Sequence, residues 1–177
     1  KQPIEKGINS SLELIEQDTT LDIASGEVFI DSIQINFVNH GFLNNQRVEN
    51  GVFIDYPGYY TLDYNDFVYE FEVSPRITGV ENGAVYNGPV TIEVSSGHIM
   101  LNNDMYVTGT LIENPGNYNL VISGVNGYTK EYDFTITSNI SGVIHNKTYT
   151  DSIEINFNGI GYLNNAHMES PINVSEN

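Results

Sequence analysis

The chain has 177 residues, a length for one larger domain or two to three small ones, and its six Lys+Arg against 23 Asp+Glu give a net charge of −17. So acidic a surface repels phosphate backbones and anionic lipid, and no eighteen-residue apolar run occurs, so nucleic-acid binding and membrane insertion are not expected. The absence of Cys removes disulfides, thiolate metal sites and a Cys nucleophile, whereas eight Phe, 12 Tyr and 40% hydrophobic residues leave material for packed cores.

Residues 1–17 carry no charged-then-apolar signal peptide, and Lys1 reads as the start of a mature or trimmed chain. Leu12 and Leu14 lie 11 and 9 residues before Ile23, as Tyr132 and Phe134 lie before Val143. The segment is therefore either the last strand of a preceding repeat or a solvated linker. Only Ser11 to Gln17 has spacing that suits a turn or two of helix.

An internal repeat begins at residue 18 and occupies 18–74, 75–137 and, partially, 138–177. In the first copy, Asp31-Ser-Ile-Gln-Ile-Asn-Phe37 alternates, with Ile33, Ile35 and Phe37 pointing one way and Gln34 and Asn36 the other. That period of two predicts a strand with one buried and one wet face, as in an antiparallel sheet. Leu43-Asn44-Asn45 follows, then Asp55-Tyr-Pro-Gly-Tyr-Tyr-Thr-Leu62, in which Pro57-Gly58 marks a turn and Tyr60, Leu62 and Tyr64 alternate again. Asn65-Asp66 suits a two-residue hairpin turn before the closing strand Tyr69-Glu-Phe-Glu-Val73.

The second copy repeats the order: Gly88-Pro-Val-Thr-Ile-Glu-Val94, Leu101-Asn102-Asn103, Glu113-Asn-Pro-Gly-Asn-Tyr-Asn-Leu120 and Tyr132-Asp-Phe-Thr-Ile136, with Asn126-Gly127 as its hairpin signal. The third supplies Asp151-Ser-Ile-Glu-Ile-Asn-Phe157 and Leu163-Asn164-Asn165 but no Pro-Gly-x-Tyr segment or closing strand. About seven short strands in some 60 residues predict a small β-sandwich. The fold expected is thus all-β: tandem small immunoglobulin-like antiparallel β-sandwiches, the last one incomplete. Sandwiches this small are marginal alone, so neighbours joined by Ser74-Pro75 and Ser138-Asn139 should touch.

An acid five residues and a Gly two residues before Tyr60, and again before Tyr118, has the spacing of a tyrosine corner, in which a phenol hydroxyl bonds the backbone of the turn. Together with Val80-Glu-Asn-Gly-Ala-Val-Tyr-Asn-Gly-Pro-Val-Thr-Ile-Glu-Val94, Leu101-Asn-Asn103, Gly109-Thr110 and Pro115-Gly-x-Tyr-x-Leu120, this pattern resembles the bacterial Ig-like repeats of extracellular proteins, Gram-positive ones especially. The resemblance spans the second copy, most of the first and half of the third. It departs where Asp31-Ser and Asp151-Ser replace Gly88-Pro89. It implies an Ig-like fold, an extracellular or cell-surface address and a spacer or adhesive role, with no shared catalytic residues.

No catalytic constellation is found. His40, His98, His145 and His167 are scattered without metal-ligand spacing, no Gly-x-Ser-x-Gly elbow occurs, and the carboxylate pairs Asp63/Asp66 and Glu131/Asp133 read as solvated edges. No cofactor is expected; for calcium the chain offers only Asp63-Tyr-Asn65-Asp66, unmatched by Val121-Ile-Ser-Gly in the second copy. A Lys–Asn crosslink is not expected either, since Lys130 and Lys147 lack clearly inward positions. The binding candidates are Tyr56 and Tyr59, whose counterparts Asn114 and Asn117 are polar, so no shared core role explains them. The expected function is a non-enzymatic structural or adhesive spacer of a secreted or surface-anchored bacterial protein, with an unidentified protein or glycan ligand and strand exchange through the third copy. The alternative is a carbohydrate-binding accessory module with Tyr56 and Tyr59 at its site.

Overall fold

The structure, a computed structural model, describes Leu21 and residues 23–175, in which every regular element is a strand. The readings made for residues 1–17 lie outside the described residues. From Glu27 to Ser74 the chain forms β1 (Glu27–Ile30), β2 (Ile33–Ile35), β3 (His40–Leu43), β4 (Gln46–Glu49), β5 (Val52–Ile54), β6 (Gly58–Tyr64) and β7 (Phe67–Ser74). They assemble into a five-stranded sheet of order β1-β7-β6-β3-β4 and a small β2-β5 sheet. The inward residues of both sheets, among them Ile35, Ile54, Tyr60, Leu62, Phe71 and Val73, share one buried cluster. Period-two alternation produces this arrangement: along β6, Tyr60, Leu62 and Tyr64 are buried while Tyr59, Thr61 and Asp63 face outward.

Residues 77–136 repeat the plan. The strands are β8 (Ile77–Thr78), β9 (Ala84–Tyr86), β10 (Val90–Thr91), β11 (Glu93–Val94), β12 (His98–Leu101), β13 (Asp104–Met105), β14 (Leu111–Ile112), β15 (Gly116–Ser123) and β16 (Thr129–Ile136). The large sheet has the order β13-β12-β15-β16-β9, matching the first, and a second cluster gathers Val90, Ile92, Val94, Leu120, Ile122, Phe134 and Ile136. Even the aromatic packing recurs: Tyr60 stacks on Phe71 at 5.6 Å and Tyr118 on Phe134 at 5.2 Å, with Phe29 and Tyr86 edge-on to the same Phe.

The two large sheets are not wholly antiparallel, as expected from the alternation, because β1 and β9 pair parallel with β7 and β16. Alternation reports which face is wet, not strand polarity. An edge strand that leaves its sheet for the opposite one is not joined to its neighbour by a hairpin, and nothing forces it to run antiparallel.

The third stretch contributes β17 (Ile140–Ser141), β18 (Ile153–Phe157), β19 (Gly161–Leu163), β20 (Ala166–Met168) and β21 (Ile172–Val174), in a β17-β18-β21 sheet and a β19-β20 hairpin. Ile155 is half-buried, whereas its counterparts Ile35 and Ile92 are fully buried. Among the described residues nothing corresponds to the β6–β7 hairpin that covers the other two cores.

The Leu-Asn-Asn motif proves to be a turn in all three copies. Asn44 and Asn45, Asn102 and Asn103, and Asn164 and Asn165 all take positive φ between 49° and 69°, the two central positions of a type I′ hairpin. Asn is among the few residues that adopt that conformation at low cost. In the first two copies the leading Asn also accepts a backbone N–H from the neighbouring strand, at Thr61 and Asn119.

Candidate functional site

Tyr60 and Tyr118 close their turns identically. The Tyr60 hydroxyl donates to the Tyr56 carbonyl at 2.9 Å, and that of Tyr118 to the Asn114 carbonyl at 2.6 Å. Burial raises both phenol pKa values, joined at Tyr60 by the nearby Asp55 and Tyr56. Tyr56 and Tyr59 are 42% and 48% exposed but sit in different surroundings. Tyr56 lends its carbonyl to Tyr60, whereas the Tyr59 ring lies 5.5 Å from that of Tyr128 and its carbonyl accepts a 2.7 Å hydrogen bond from Asn126 Nδ2.

Tyr59 thus stands at a junction between residues 57–74 and 124–130. The β15–β16 hairpin extends past its ladder in a tip, Gly124 to Tyr128, that turns at Asn126-Gly127 with φ of 55° and 77°. The tip docks by main chain: Val125 N donates to the Pro57 carbonyl at 2.9 Å, and Gly58 forms a parallel bridge with Val125. Approach is so close that a Cβ on Gly124 would lie 1.9 Å from the Pro57 oxygen, so only glycine fits there.

Below the tip lies a polar cluster. Tyr128 is 1% exposed, with its hydroxyl 3.1 Å from Ser74 Oγ, itself in a residue 2% exposed. Lys130 Nζ donates to Ser74 Oγ at 2.7 Å, lies 3.0 Å from Glu72 Oε1, and sits 5.8 Å from the centre of the Tyr128 ring. Burial opposes the Lys130 charge, but the bond to Glu72 and the fields of Tyr128 and Glu72 outweigh it and hold its pKa above the usual value. Burial raises the Tyr128 phenol despite opposing bonds and charge from Ser74 and Lys130.

On the linker, Arg76 N donates to Asp31 Oδ1 and Ser95 Oγ, Ser95 N returns a bond to the Arg76 carbonyl, and the Arg76 guanidinium pairs with Asp31. A hydrogen bond from Ser95 depresses the Asp31 pKa; burial opposes this and Arg76 adds to it. Asp31 occupies the position where the second copy has Gly88.

The remaining candidates do not converge. His40, His98, His145 and His167 are all exposed, and among the described residues no group of three His, Cys, Asp or Glu could hold a metal ion. Asp63, Asn65 and Asp66 line the open end of the β6–β7 hairpin. Lys147 lies over the Tyr149 ring at 5.0 Å. Among the described residues no helix is long and apolar enough to cross a membrane.

Sequence reasoning missed Glu72, Ser74, Val125, Tyr128 and Lys130 as a set. The signal for the tip was present in the spacing: nine residues separate Tyr60 from Tyr69, but fourteen separate Tyr118 from Tyr132. Those five additional residues form the part of the hairpin that reaches the neighbouring segment. Compared with family models and with curated proteins, the chain gives no match to either.

Proposed function

We propose that the chain is a tandem array of immunoglobulin-like sandwiches, spanning 18–74, 75–137 and a partial 138–177, that serves as a structural or adhesive spacer of a secreted or surface-anchored bacterial protein. The observation that carries this reading is the junction itself. Two segments with the same sheet order and separate cores meet through the 124–128 tip, the place where an extended protein needs control over direction. Non-enzymatic action fits the exposed, dispersed histidines. The half-buried Ile153, Ile155 and Phe157 favour uptake of further strands by the third segment, from a longer parent chain or another molecule.

Tyr59 lies against Tyr128 and Tyr56 lends its carbonyl to Tyr60, an arrangement that favours a spacer over a sugar platform. The test is small-angle scattering combined with glycan-array binding of the wild type and of Tyr56→Ala/Tyr59→Ala. An elongated particle without glycan binding is the expected result. A compact particle, or glycan binding that the double substitution abolishes, would overturn the spacer reading.

A further inference from the structure

We infer that the chain is a stiff two-segment arm, residues 23–137, followed by a pivot at Ser138-Asn139. The inference rests on the spacer reading for its biological meaning, though not for its physics.

The two linkers share one device. At the first, Arg76 N bonds Ser95 Oγ at 3.0 Å and Ser95 N bonds the Arg76 carbonyl at 3.1 Å; at the second, Asn139 N bonds Asn158 Oδ1 at 2.5 Å and Asn158 N bonds the Asn139 carbonyl at 3.2 Å. Glycine then meets proline at both, Gly97 against Pro57 and Gly159 against Pro115. At the second linker the staple residues also bond through their side chains, Asn139 Nδ2 to the Asn87 carbonyl at 3.1 Å and Asn158 Nδ2 to the Thr137 carbonyl at 3.0 Å, but these bonds start from the staple itself and oppose torque only over a short lever.

The first junction adds points of attachment that the second lacks among the described residues. Val125 pairs with Pro57 and Gly58, Asn126 and Tyr128 engage Tyr59, and Tyr128 and Lys130 reach Ser74 and Glu72. Asp31 adds a charged partner on the Arg76 side, where Asn139 has the neutral Asn87 carbonyl instead. Burial differs accordingly: Pro57 and Ser74 are fully buried, while their counterparts Pro115 and Thr137 are half-buried. The second junction instead borders an open cleft of about 710 Å³ lined by Asn87, Glu113, Asn139, Asn156 and His167. Water in a polar cleft exchanges hydrogen bonds as the walls move, so rotation there breaks little packing.

The absence of native Cys makes the test direct. Spin labels at Gln46→Cys and Met105→Cys report the first junction in the full chain, Met105→Cys and Ala166→Cys report the second, and Ala166→Cys with Asn173→Cys report the third segment internally; all four positions are exposed. Electron–electron double resonance should give a 105/166 distance distribution at least twice as wide as the 46/105 one, with 166/173 narrow. Lys130→Met should broaden 46/105 with far-UV circular dichroism unchanged, and Tyr128→Ala should broaden it further. Equal widths for the two junctions would overturn the inference. So would a broad 166/173 distribution, which places the motion inside the third segment, or a 46/105 width that neither substitution changes. Glycan binding would unseat the spacer reading without altering these widths.

Discussion

Tyr128 concentrates the energetics of the first junction in a single hydroxyl. Tyr128→Phe keeps the ring against Tyr59 and removes the partner of the buried Ser74 Oγ, which Lys130 still reaches. A loss of about 1 kcal/mol is expected, read as a lower midpoint in chemical denaturation. Gly124→Ala should cost more, since its Cβ meets a carbonyl oxygen rather than a side chain that can move aside. Charge at the junction sets a pH window. Lys130 and Tyr128 have folded pKa values raised above 10.5 and 10.0, so their contribution is complete below those unfolded values and is lost as pH climbs through the raised ones. Asp31 behaves oppositely: its pKa lies below 3.8, so its contribution holds above that value and fades as pH falls through the lowered one. Thermal melts across pH should therefore show an alkaline decline that is shallower in Lys130→Met.

At the scale of elements, one aligned column offers an internal comparison. Ile35 and Ile92 are fully buried, Ile155 only half-buried. Replacing either of the first two with Ala should cost about 2–5 kcal/mol, and Ile155→Ala distinctly less, as differential scanning calorimetry on each variant would reveal. What was legible in the sequence follows the same physics. Alternation of Ile and Val with polar residues exposes the strand faces to inspection, and Asn65-Asp66 and Asn126-Gly127 announce hairpins because their backbone requirement is local. The Leu-Asn-Asn turn was visible as a repeat but unread as a turn. The parallel edges and the Tyr128–Lys130–Glu72 cluster were not legible, because they join residues more than forty positions apart through shape rather than motif. Tyr59 was singled out for lacking a core role, and the structure places it at the junction with the following segment.

The molecule as a whole carries its charge of −17 over a thin set of cores. Self-repulsion of that size opposes the folded state and is screened by salt, so moderate sodium chloride should raise the melting temperature despite weakening the Glu72–Lys130 pair. The parallel edges have a mechanical consequence. Tension on a chain held at both ends pulls β1 and β7 in opposite directions along their length, so their four-residue register is loaded in shear and its bonds must yield together. The matching register of β9 with β16 spans three residues, so under a steady pull the second bead should rupture before the first.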